Sequence, residues 1–462
     1  MRVRPGAGRR IAVGALAVAA LAVGVWCLMM PNSKTAPPIV AEVAPAERFV
    51  ASWSASLANA KRLTRESQTI AVAALPPARK ASEVEVCGVG VVDLASPEGA
   101  AQIKRASDDA EVVVGRLIQA MQTSADIGMR AIGLYLGSVR AGMEAARDNT
   151  AQEGDCGASQ ACGQQLESSM RDYRNGAQPL IDTLARVAST TLDPMAYGIA
   201  VQACRSRERG QRRAGACQLV SAEQWARLDP DNAVAWLHVA ASAHSRDDGA
   251  VEVDALQRVA SARGSRLYGD RAPDVALSLL PVGIAPLERA DVEFSLLVAS
   301  VGWALPEYQS VSRYCSVEAV RDANRRQSCD AIASSLVAHG STLIDLAIGK
   351  VVGTRAGWPD ERIDAVKAEF DAARAIQARI FPTGDEMLAC DSIAKVRTYL
   401  GRVAQGGELG AVRLAIQESG ETIADLAREY RVAAERSMRE AQLRNAAEQA
   451  ASASASAASS GS

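Results

Sequence analysis

Aromatic side chains make up only 4% of this 462-residue chain, with 6 Trp, 8 Tyr and 4 Phe. Sheets take much of their cross-strand packing from aromatic and β-branched residues. This scarcity, beside an Ala content of about a fifth, therefore predicts closely packed helices. Charge of one sign is also lacking: 51 Lys and Arg oppose 53 Asp and Glu, for a net charge of −2. No nucleic-acid partner is expected, because a general binder needs a basic surplus to neutralise phosphates. Histidine occurs only at 238, 244 and 339, never flanking a cysteine pair, and no Cys-x-x-Cys spacing exists. That pattern gives no support to structural zinc or to a Cys-x-x-Cys dithiol. The sequence contains no G-x-S-x-G elbow, no H-E-x-x-H, no phosphate loop and no calcium loop. It nominates no catalytic, cofactor-binding or metal-ligating residue, and no cofactor is expected.

What is present begins at the N-terminus. Arg2, Arg4, Arg9 and Arg10 precede an uninterrupted apolar run from Ile11 to Met30, long enough as a helix to span a hydrocarbon core of about 30 Å. Trp26 to Pro31 offers no small-x-small cleavage site, so the run is expected to remain as a single-pass anchor. Arginines on the short side place residues 1–10 in the cytoplasm and the remainder across the membrane. Only seven of the 51 basic residues are Lys. With the Ala excess, this is the coding bias of a high-GC bacterium, so the expected location is a bacterial inner membrane with the bulk of the chain in the periplasm.

Cysteine usage agrees with export. Of nine Cys, Cys27 lies in the apolar run and eight follow it, the even number that a disulfide framework in an oxidising compartment requires. Three pairs are near in sequence: Cys156 with Cys162, Cys204 with Cys217, and Cys315 with Cys329. The expected fourth pair is then Cys87 with Cys390.

The fold class read from the chain is all-α: an irregular helical repeat or bundle, with one transmembrane helix and a disordered C-terminal tail. Pro31, Pro37, Pro38 and Pro45 make residues 31–46 a spacer. A disulfide-bonded helical domain is expected over 47–449, starting with a helix from Glu47 to Arg65. Residues 84–92 alternate with β-branched side chains and predict the only extended segment. Ser96-Pro97-Glu98 is a helix start. Further helices are predicted to about Thr123, then over 127–148, 164–175, 179–189 and 193–205. A long last helix is expected from about Glu408 to Glu448, with charged residues on its outer face. Residues 450–462 contain only Ala, Ser and Gly and read as a disordered tail.

Leu228-Asp229-Pro230-Asp231-Asn232-Ala233-Val234-Ala235-Trp236-Leu237-His238-Val239-Ala240 is followed, after a polar turn, by Val253, Leu256, Val259 and Ala260. Residues 228–262 resemble one helix pair of the tetratricopeptide family. The resemblance implies an Asp or Asn cap, Trp236 and Val239 facing the partner helix, and small Ala240 and Ala243 at the close approach. No second clean copy is found, so the repeat is read as irregular.

Other residues have plainer readings. His339-Gly340-Ser341-Thr342 is a helix stop followed by a cap. Asp345 lies within the apolar stretch Leu343 to Val352, where a carboxylate needs a partner or a raised pKa; an ion pair is expected. Trp53, Trp225, Trp236, Trp303 and Trp358 are read as core anchors rather than a sugar-binding strip. The functional expectation is a membrane-anchored periplasmic scaffold binding a protein or peptide of the cell envelope, held to the inner membrane by residues 11–30. The alternative is a cell-wall enzyme cleaving glycan with an unidentified carboxylate pair; an enzyme is the less favoured class.

Overall fold

A computed structural model describes residues 82–150, 160–205, 215–301, 306–381 and 386–459. The expected anchor 11–30, the spacer and the helix over 47–65 lie outside these residues, as does the Cys156 side of the Cys156–Cys162 pair. The described chain is all-α, with fifteen α-helices and one two-stranded hairpin. Among the described residues, no helix is long and apolar enough to cross a membrane. The described residues fall into two compact units, one within Met1–Arg105, Ala368–Thr398 and Val412–Ser462, the other within Ala106–Lys367 and Tyr399–Ala411.

In the first unit, β1 (Glu83–Val86) pairs antiparallel with β2 (Gly90–Asp93), matching Glu83 to Asp93 and Val86 to Gly90. Val84, Val86 and Val92 are buried while Glu85 and Val91 face out, the period-2 alternation of a half-buried ribbon. Gly88 and Gly90, at φ +76° and +98°, make the left-handed turn that a side chain would oppose. The hairpin is fastened by the Cys87–Cys390 disulfide and by the Cys87 amide, which donates to the Leu388 carbonyl at 2.8 Å. Helix α1 (Pro97–Gln122) follows; the Ser96 hydroxyl accepts from the Gly99 amide at 3.0 Å, capping its first turn.

Helix α1 passes into the second unit at Ala106, and the next helices in the chain belong to that unit. The Ile127–Thr150 helix (α2) runs against the Gln160–Ser189 helix (α3). Gly142 and Gly176 leave no room there for a Cβ, which would stand 2.7 Å from Tyr173 and 2.6 Å from the Ala141 carbonyl respectively. The break predicted between 175 and 179 does not occur: Pro179 sits inside α3. A proline forfeits one helical hydrogen bond, but buried Ala177, Ile181, Leu184, Ala185 and Ala188 hold the turns on either side by packing.

Helix α4 (Pro194–Arg205) packs on both α2 and α3, and α5 (Ala222–Leu228) joins it to α6 (Ala233–His244). Helix α6 pairs with α7 (Gly249–Ser261). After α8 (Ala272–Ser278), α9 (Pro286–Val301) and α10 (Gln309–Tyr314), helix α11 (Ala323–His339) packs on α7 and pairs with α12 (Leu343–Ala356). Disulfides Cys204–Cys217 and Cys315–Cys329 close in this unit, as their spacing suggested. Trp225 is fully buried; a Cβ on Gly198 of α4 would stand 2.7 Å from its ring, and the His238 ring of α6 lies 5.4 Å away.

Helix α13 (Asp360–Ile380) enters the first unit at Ala368, where Glu369 accepts from Arg413 of α14 (Cys390–Ser419) at 2.7 Å. Asp371 accepts from Arg431 of α15 (Ile423–Ser459) at 3.1 Å, and Arg379 pairs with both Glu421 and Glu429. The long last helix expected from Glu408 is interrupted at Gly420, whose φ of +69° ends α14. Thr422 restarts the chain as α15 by accepting from the Asp425 amide at 3.1 Å. The tail expected to be disordered is also corrected: α15 continues through Ser459. Alanine is the strongest helix former, and it carries a helix already begun by Leu426 and Ala427, both fully buried.

Trp225→Ala removes the largest fully enclosed side chain of its unit and is expected to lower unfolding free energy by about 3–5 kcal/mol. Urea unfolding followed by circular dichroism measures this loss.

Candidate functional site

Two clusters of the second unit stand out, and both are built on helix starts. The first is the helix pair within residues 228–262. Asn232 is fully buried and satisfies its whole amide. Its Oδ1 accepts from the Val234 amide at 3.1 Å and the Arg266 amide at 2.8 Å, while Nδ2 donates to Asp229 Oδ2 at 2.8 Å and the Arg266 carbonyl at 3.1 Å. The expected cap of α6 is therefore Asn232, and the same side chain clasps the loop after α7. Asp229 also accepts from Tyr268 at 2.6 Å and pairs with Arg266.

Trp236 faces α7 as expected, yet it is only half-buried: its indole donates to the Pro230 carbonyl at 2.7 Å and Arg258 lies 5.5 Å from the ring centre. The core anchor is Trp225, eleven residues earlier. Trp358 is the other anchor, packed against Gly353 with Arg362 3.5 Å from its ring centre. Trp53 and Trp303 lie outside the described residues.

The second cluster surrounds Asp345, which is fully buried. Its Oδ2 accepts from the amides of Ser341 and Thr342 and from the Thr342 hydroxyl, each at 3.0 Å, with Ser265 Oγ at 3.5 Å. Its Oδ1 accepts from the Tyr308 hydroxyl at 2.6 Å. Thr342 accepts in return from the Asp345 amide, which completes a capping box on α12. Gly340, Ser341 and Thr342 thus have the stop-and-cap roles read from the sequence. Asp345 does not form the expected ion pair; hydroxyl and amide donors take that place, at the end of α12 where the helix dipole favours negative charge.

Glu408 completes the arrangement. Helix α14 is broken at Gly407, with φ +71° and ψ 176°. The break turns Glu408 so that its carboxylate accepts from the Leu343 amide at 2.9 Å, while the Leu409 amide donates to the Ser341 carbonyl at 2.9 Å. A third acid, Asp270, stands in the field of both carboxylates. Burial first, then Glu408 and Asp345, push its carboxyl up to about 7. Burial likewise raises Asp345 above the ordinary carboxylate range, against the lowering effect of its hydrogen bonds to Tyr308, Thr342 and Ser341. The Tyr308 hydroxyl is raised well above 10, by burial first and then by Asp345.

These acids are not a pair flanking a glycan. Asp345, at 0% exposure and with both oxygens occupied by donors, has no approach for a sugar oxygen. Capping an α-helix explains its position. The histidines do not converge either: His238 is buried beside Trp225, His244 lies 3.2 Å from Glu252, and His339 is exposed in the last turn of α11. Among the described residues no group of three His, Cys, Asp or Glu is arranged to hold a metal ion. Thr342 and Asp345 were legible as neighbours in sequence. Ser265, Asp270, Tyr308 and Glu408 were not, since they reach the site from separate loops and helices. No protein-family model, curated protein or solved structure matches the chain.

Two outcomes are expected. Asp345→Ala strands the Tyr308 hydroxyl and the Ser341 and Thr342 amides and should destabilise the fold by at least about 3 kcal/mol in urea unfolding. Asp270 has a folded value of about 7 against an ordinary 3.8, so the folded chain holds the extra proton. Stability contributed by this group is present in acid and is lost as pH rises through that window, with a slope of at most about 1.4 kcal/mol per pH unit. Asp270→Asn should flatten that slope between pH 4 and pH 7 in a series of denaturation midpoints.

Proposed function

We propose that the chain is a membrane-tethered periplasmic scaffold whose irregular helical repeat binds a protein or peptide partner of the cell envelope. The observation that carries this reading is the succession of helix contacts: α2 with α3, α4 on both, α5 between α4 and α6, α6 with α7, α7 with α11, and α11 with α12. Helices that meet mainly their neighbours in a series build an extended surface, the property that helical-repeat binders use. The pair at 228–262, read as tetratricopeptide-like, lies in the middle of this series and carries Trp236 on half-buried and Arg258 on exposed ground. A half-buried indole beside an arginine is a common anchor in recognition of a peptide.

Support for the location is chemical. Three disulfides suit an oxidising compartment, and the apolar run 11–30 behind four arginines suits an inner-membrane anchor. The glycan-cleaving alternative gains nothing from Asp345 and Glu408, which are spent on capping α12.

An alkaline phosphatase fusion after residue 46 is expected to be active, and inactive once residues 11–30 are deleted. A photo-crosslinking residue at Arg258 of the full chain is expected to yield one discrete adduct in cells, reduced by Trp236→Ala. Absence of an adduct, together with release of soluble muropeptides from sacculi by the purified chain, would overturn the scaffold in favour of the enzyme.

A further inference from the structure

The three disulfides of the described residues differ in one respect that bears on chemistry. Cys204 and Cys217 are 3% and 4% exposed, and Cys315 and Cys329 are both 0% exposed. In the third, Cys390 is exposed and Cys87 half-buried. We propose that Cys87–Cys390 is a thiol–disulfide exchange site, opened by a dithiol reductant at the Cys390 sulfur while the two enclosed disulfides stay closed.

The geometry supports both the site and the direction of attack. Exchange needs a thiolate in line with the disulfide, so access decides which sulfur is struck. Cys390 is the exposed member and the first residue of the thirty-residue α14. The reductant's thiolate bonds to Cys390 Sγ as the Cys87–Cys390 bond breaks, and Cys87 leaves as the thiolate. The reductant's second thiolate then attacks its own sulfur in the mixed disulfide and releases Cys390. Two electrons pass from the dithiol, which ends as a disulfide, and its two protons end on Cys87 and Cys390. Release of Cys390 is favoured by the amide groups of the first helical turn and opposed by Asp391 beside it.

Opening this bond has a defined structural effect. It removes the covalent tie across a sequence separation of 303 residues and leaves the hairpin held at that point by the Cys87 amide to Leu388 carbonyl bond. Val84, Val86 and Val92 still pack inward, so loosening is expected in the hairpin rather than loss of fold.

The test uses the oxidised full chain in detergent, without denaturant, titrated with dithiothreitol, alkylated and mapped by peptide mass spectrometry, with Cys27, Cys156 and Cys162 read separately. Cys87 and Cys390 are expected to be alkylated at a reductant concentration about tenfold or more below that opening the other two described pairs. Helical circular dichroism should be unchanged and hydrogen exchange increased over residues 83–93. Reduced glutathione, a monothiol with no second thiol of its own to release Cys390, should be found on Cys390 with Cys87 free when the exchange is quenched early in acid. The Cys87→Ser, Cys390→Ser double variant should keep the helical signal and match the selectively reduced chain in its urea midpoint. Opening of either enclosed pair first, or of all pairs only upon unfolding, would overturn the site. A glutathione adduct on Cys87 would overturn the direction of attack.

Discussion

A carboxylate taken out of water must be met by donors, and in the second unit that requirement falls on Asp345. Its two oxygens gather Tyr308, Ser341 and Thr342, with Ser265 at the edge. Ser341 and Thr342 come from the turn just before it, Tyr308 and Ser265 from loops 37 and 80 residues away, and a bond left unmade would leave a buried polar atom unsatisfied. The same point begins α12. Glu408 reaches it only because Gly407 breaks α14 with a backbone conformation that side-chain-bearing residues avoid. The helix start, the broken helix and the loop carrying Tyr308 are therefore one arrangement.

Around this point the packing follows from composition. A chain rich in Ala and poor in aromatics brings helices close together and places its few large rings where space remains. Gly198 admits Trp225, and Gly353 admits Trp358. The first unit relies more on charge at its surface, where Arg379, Arg413 and Arg431 join α13 to α14, α15 and the turn between them. Exposed pairs of this kind contribute little singly, so the buried alanines of α13, with Ile376, Val412 and Leu426, supply the core.

The proposed scaffold role and the proposed exchange site use different parts of this construction. The scaffold reading uses the helices of the second unit, which caps such as Asn232 and two enclosed disulfides hold together. The accessible disulfide belongs to the first unit, where a short hairpin is fastened to the start of α14.

What the sequence by itself determined is local. The helical class follows from Ala content and scarce aromatics, the hairpin from the alternation at 84–92, and the caps at Ser96, Asn232 and Thr342 from side chains that bond within three residues. The two local disulfides follow from short spacing, and pairing Cys87 with Cys390 followed from assigning the others. Tertiary structure alone decided that Trp225 rather than Trp236 is the enclosed ring, that Asp345 takes hydroxyl and amide donors instead of a cation, and that Asp270 titrates near neutrality. It also decided that α3 passes through Pro179, that α15 continues through the Ala and Ser segment, and which disulfide meets solvent. Spacing reports neighbours along one helix, whereas burial and partners supplied from 37 to 80 residues away depend on how helices meet in space.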